Sequence, residues 1–213
     1  MDMRETLRYL GYRGHGADDQ TLELAEECWE ELEQKAERRV CFKEFPLTVR
    51  ESIIDMGCFQ TKSQALEKNL KHCRQVVLFA ATLGVQADSL IRRYSRLQMS
   101  RAVVMQAVAA AMLEEYCDQV NEEIRREYEK KGLYLRPRFS PGYGDFPIQC
   151  QSGLLGGLEA GKRIGITLTD SLLMIPSKSV SAVIGVSPVR RECIVKGCEA
   201  CGSTDCIYRR ETV

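Results

Sequence analysis

The sequence predicts an α+β fold, and three observations carry that expectation. Helix-period apolar patterns dominate the chain up to about residue 131. Short apolar runs bounded by glycine and proline fill the stretch from 134 to 186. The two kinds of pattern do not alternate regularly, as they would in a chain of βαβ units. The chain has 213 residues, 44 % hydrophobic and 28 % charged, which suffices for a sizeable core in a globular protein.

Taken in order, residues 1–45 read as helical and polar. Gly14, Gly16 and Asp18-Asp19 interrupt them, and 22–36 form an acidic amphipathic helix with Leu22, Ala25, Trp29 and Leu32 on one side. Residues 63–73 suggest another helix. Residues 75–83 are a short run of small and β-branched apolar residues stopped by Gly84, the pattern of a buried strand. A helix over 86–96 precedes the longest element, a helix over about 100–131. Val103, Ala107, Ala110, Leu113, Cys117, Val120 and Ile124 recur along it every three or four residues, and Gly132 is a natural stop. Val104, Val108 and Ala111 form a second stripe that shares its face with Glu115. That carboxylate is either solvated or in need of a partner. Then follow a strand at 134–136, a loop over 138–147, a helix over 154–164, strands at 166–168 and 172–175, and a longer strand at 180–186.

Composition narrows the function. Lys+Arg and Asp+Glu are 30 each, so the formal net charge is zero, and neither a nucleic-acid backbone nor an anionic membrane is favoured as partner. No apolar run approaches the roughly 20 residues of a membrane span. The opening Met1-Asp2-Met3-Arg4-Glu5 lacks the layout of a signal peptide, which makes a cytoplasmic location the default. Phosphate-binding glycine loops are absent, and His15 and His72 are the only histidines. Six of the ten cysteines are scattered, as small buried hydrophobes would be. The other four, Cys193, Cys198, Cys201 and Cys206, fall within fourteen residues. They can close around one zinc ion or an iron–sulfur cluster, or belong to a reduced tail; with no secretory signal, a disulfide framework is the weaker option. The chain accordingly divides into an N-terminal helical segment (1–74), a core (75–190) and a cysteine-rich tail (191–213).

The candidate site lies between Arg138 and Ser181. Pro141-Gly142 is a turn dipeptide whose glycine lets a ligand approach the backbone. Arg138 can grip a carboxylate with two parallel hydrogen bonds, and Tyr143 offers a ring and a hydroxyl. Alone, such a corner is common. Arg138-x-x-Pro141-Gly142-Tyr143 is joined here by Pro147, by Gly165-Ile166-Thr167-Leu168-Thr169-Asp170-Ser171, by Met174-Ile175-Pro176, by Ser179-Val180-Ser181 and by Pro188. In that combination, residues 75–190 resemble the activation domain of cobalamin-dependent methionine synthase.

The resemblance implies a mixed or antiparallel twisted sheet flanked by helices, and a site for S-adenosylmethionine. It implies Arg138 for the ligand carboxylate, Glu115 for its ammonium group, and Gly142 and Tyr143 for the adenosyl part. It implies cobalamin carried by a partner, a methionine synthase core or related corrinoid protein, together with an electron donor. The expected role is a stand-alone activation subunit that supports reductive remethylation of that cobalamin; whether such a subunit counts as an enzyme is left open. The alternatives are a metal-binding adaptor built on the cysteine cluster, and a reactivator of another corrinoid methyltransferase. Two departures stand out. The family's tyrosine after its His-Pro has no counterpart in 187–193, and its early acidic residue has no clear match in 1–45.

Overall fold

A computed structural model describes residues 2–12 and 16–190. Its centre is a four-stranded antiparallel sheet in the order β1 (Arg39–Pro46), β5 (Gln75–Thr82), β9 (Ser179–Ser187), β6 (Tyr134–Leu135). Residue 39 of β1 pairs with 82 of β5, which pairs in turn with 179 of β9, and each ladder runs its full length without a bulge.

β5 is buried on both sides, and this explains its unbroken apolar run. Successive side chains of a strand point to opposite faces. Val77, Phe79 and Ala81 enter one core, and Val76, Leu78 and Ala80 enter the other. The first core is closed by α1 (Met3–Tyr9), α2 (Asp19–Lys35), α4 (Val85–Leu97) and α5 (Met99–Glu129), as their mutual contacts require. The second is closed by α3 (Gln64–Asn69), α6 (Cys150–Leu158) and α7 (Ala160–Ile164), with the strand Ile53–Asp55 (β3) beneath them. The result is three layers, helices on both faces of one sheet. No helix among the described residues is long and apolar enough to cross a membrane.

The expected α+β class is the observed one, and the differences are local. Residues 39–46, expected to be helical, form β1. Only Cys41 of that strand is buried, so its polar edge character hid the two-residue period. Residues 48–61, given no element by the sequence, hold a small antiparallel meander of β2 (Thr48–Arg50), β3 and β4 (Gln60–Thr61), whose strands are too short for a periodic signal. The helix expected over 63–73 ends at Asn69, because Leu70 caps it and His72 takes a left-handed φ of 67°. The helix expected over 154–164 starts earlier and splits in two at Glu159 (φ 52°). Along α5, Val104, Val108 and Ala111 are buried as the stripe predicts, whereas Val103 is exposed. β7 (Thr167–Leu168) and β8 (Met174–Ile175) form a hairpin of their own rather than joining the main sheet.

Candidate functional site

The loop over 138–147 leaves the edge strand β6 and is held at several points. Phe139 exchanges both backbone hydrogen bonds with Val183 of β9, each 2.9 Å. The Phe146 ring sits fully inside the second core, 6.2 Å from the Phe139 ring. The Asp145 carboxylate accepts from Ser63 Oγ (2.5 Å) and from the backbone N–H groups of Gln64 (2.6 Å) and Ala65 (3.1 Å). It thus joins Ser63, which itself accepts from Leu66 N–H at 3.0 Å, in satisfying the otherwise unpaired amides at the start of α3. These bonds, the one from Ser63 first, hold the Asp145 carboxyl below the usual carboxylate range.

Within this frame the turn closes tightly. Gly142 N–H donates to Phe146 O (2.8 Å), Tyr143 N–H to Ser140 O (3.2 Å), and Phe146 N–H to Tyr143 O (3.0 Å). Gly142 lies at φ +93°, a conformation that strains any residue with a Cβ. The turn therefore carries Tyr143 outward, 67 % exposed, on a stiff backbone.

Arg138 turns the other way, against α5. Its side chain is 17 % exposed, and its Nη2 donates to Glu114 Oε2 (3.0 Å) and Asp118 Oδ1 (2.7 Å). Among the described residues, its buried Nη1 meets no hydrogen-bond partner. Glu114 and Asp118 are four apart and share one face of α5. Glu115 is one position on, about 100° around the helix, and no ion pair joins it to Arg138. It borders two clefts instead. One, about 310 Å³, is lined by Asp2, Glu5, Glu114, Asp118 and Gln119 as well; the other, about 270 Å³, has Trp29, Glu33, Arg38, Tyr116 and Gln119. Burial beneath this face pushes the Cys117 thiol up to about 12, while Arg138 pulls the other way.

α1 roofs the first cleft. Asp2 caps it by accepting from Glu5 N–H at 3.2 Å, and Glu5 pairs with Arg8 at 2.5 Å. Burial raises the Tyr9 pKa, and the Glu114 carboxylate adds to the rise. The lining of this cleft is thus acidic, and two of its carboxylates, Glu114 and Asp118, are the ones that engage the Arg138 guanidinium; cationic groups of a small ligand suit that wall, and a carboxylate suits Arg138.

The second motif, residues 165–181, forms the β7–β8 hairpin and the start of β9. Leu173 N–H and Ser171 Oγ both meet Thr169 Oγ1 (3.0 and 2.9 Å), and Leu172 turns at φ 63°. Gln151 of α6 fastens this hairpin to the sheet, with Nε2 donating to Leu172 O (2.8 Å) and Oε1 accepting from Ser181 Oγ (3.4 Å). Both motifs are therefore anchored to β9.

Of the residues singled out from sequence, Gly142 and Tyr143 share the turn, Arg138 begins it, and Glu115 lies beside the Arg138 cluster without pairing with it. Cys193, Cys198, Cys201 and Cys206 lie outside the described residues. Among the described residues, no group of three or more His, Cys, Asp or Glu side chains is arranged to hold a metal ion. Glu114, Asp118 and Asp145 are site residues that no sequence motif singles out. The i,i+4 spacing of Glu114 and Asp118 was the available signal, and nothing local marks Asp145.

The family model described as the activation domain of vitamin B12 dependent methionine synthase matches residues 66–210, more than half of the chain. Among solved structures, the chain is similar to one described as the crystal structure of the MetH reactivation domain bound to AdoHcy. The TM-score is 0.62 and the identity 18 %, over 87 % of this chain and 74 % of that one.

Proposed function

This chain belongs to the activation-domain family of vitamin B12 dependent methionine synthases, and we propose that it binds S-adenosylmethionine beside Arg138 and so supports reductive remethylation of a partner's cobalamin. The observation that carries the reading is the Arg138 corner: a largely buried guanidinium facing carboxylates, next to a rigid turn that presents Gly142 and Tyr143. The similar MetH structure is described with AdoHcy, the product S-adenosylmethionine becomes after losing its methyl group, and this supports the choice of ligand.

In this reading Arg138 receives the ligand carboxylate. Glu114 and Glu115 offer acceptors for the ammonium group, and the 142–143 turn flanks the adenosyl part. The acidic wall favours the sulfonium charge electrostatically. When bound, S-adenosylmethionine would supply a methyl cation to a partner cobalt already reduced by one electron from an external donor, and its carbon–sulfur bond would break to leave S-adenosylhomocysteine. The protein's share is to bind and orient. Analogues lacking the ammonium group forgo the acidic wall, and those lacking the carboxylate forgo Arg138, which stays paired with Glu114 and Asp118, so both bind more weakly. The chain does this in trans, for a methionine synthase core that lacks such a domain.

Reconstitution tests this. Such a core carrying oxidised cobalamin, a low-potential reductant and S-adenosylmethionine should regain the methylcobalamin absorption spectrum only when this chain is added. Recovery without it, or no recovery with it, would count against the proposal.

A further inference from the structure

Arg138 is already engaged before any ligand arrives. One nitrogen, Nη2, serves both Glu114 and Asp118. Those two carboxylates are unequal. Glu114 is 29 % exposed, whereas Asp118 is 62 % exposed and makes the shorter bond, 2.7 Å against 3.0 Å. Asp118 is thus the outer of the two, one helical turn beyond Glu114, on a short side chain that water can solvate again at little cost. A carboxylate entering from solvent meets Asp118 first, and exchanging one carboxylate for another never leaves the buried guanidinium bare.

We propose that Asp118 is an internal stand-in for the ligand's carboxylate. It holds Arg138 in the resting protein and swings out to water when an α-amino-acid carboxylate takes its place, while Glu114 stays. Asp118 thereby sets the affinity for ligands that carry a carboxylate and shields Arg138 from those that do not. The inference rests on the reading of the Arg138 corner given above.

The sign of one substitution separates this role from the alternatives. S-adenosylmethionine carries a net positive charge, so removing any nearby carboxylate should weaken its binding through the general field. Relief of competition acts in the opposite direction. By calorimetric titration, Asp118→Asn should bind S-adenosylmethionine about two- to five-fold more tightly, the range that exposed ion pairs represent. Decarboxylated S-adenosylmethionine, which does not compete for Arg138, should bind the variant no more tightly than the wild type. Asp118→Ser serves as a second variant, and circular dichroism melts confirm folding. Unchanged or weaker binding by both variants, or equal tightening of the decarboxylated ligand, overturns the inference. If Arg138→Ala meanwhile abolishes binding, the reading of the corner survives that failure. If Arg138→Ala binds as the wild type does, the reading fails and takes the inference with it.

Discussion

Phe146 is the joint between the candidate site and the core, and truncating it tests that connection. Its side chain is 1 % exposed, packed in the second core among residues of β5, α6 and α7, while its backbone closes the Gly142–Tyr143 turn. A buried phenylalanine removes about 200 Å² from water, and at ~25 cal/mol per Å² that amounts to about 5 kcal/mol. Residual compactness of the unfolded chain and the methyl group kept by alanine lower the figure, and the cavity left behind raises it again. Phe146→Ala should therefore cost about 3–5 kcal/mol. For a chain of this length that corresponds to a melting temperature lower by roughly 6–20 °C. Urea unfolding followed by the fluorescence of Trp29, the only tryptophan, measures it directly. Phe146→Leu, which refills most of the space, should recover more than half of the loss. A loss below about 1 kcal/mol for Phe146→Ala, with an unchanged denaturant slope, would refute the placement of the ring and the anchoring of the turn.

Two further outcomes follow from the same structure. The Asp145 carboxyl has a folded pKa below its ordinary value of 3.8, so its contribution is present above that value and fades as pH falls through the depressed one. The urea midpoints of the wild type and Asp145→Asn should differ near pH 7 and converge as acid protonates Asp145; a gap that persists unchanged at pH 3 would contradict this. The Cys28 and Cys117 thiols, pushed up to about 11 and about 12 by burial, should resist iodoacetamide at pH 8 in the native protein and react readily in urea. Mass spectrometry reads the labelling, and equal rates in both states would show that burial is not what protects them.

How much of this could be read from residues alone follows from which interactions are local. β5 was legible because burial on both faces leaves an unbroken apolar run, and α5 because 31 residues repeat its period many times. β1 was not, since its pairing with β5 is satisfied by backbone groups while most of its side chains remain polar and exposed. The turn at 141–143 announced itself through Pro141-Gly142. The partners of Arg138 did not, because one residue along a helix is a rotation of about 100°, and a sequence pattern does not reveal which of Glu114 and Glu115 faces a loop that returns from β6. Asp145 was hidden for a related reason: its partners lie some eighty positions earlier, at the start of α3.

The central claim is that Arg138 receives the carboxylate of S-adenosylmethionine, and titration of that ligand into the wild type and Arg138→Ala tests it most directly. Truncating one partner of a desolvated, hydrogen-bonded charge pair costs at least about 2 kcal/mol, roughly thirty-fold in affinity. The account predicts saturable binding by the wild type and a loss of at least that size in a variant that still folds. Equal affinity in the two proteins, or no binding by the wild type, would contradict it.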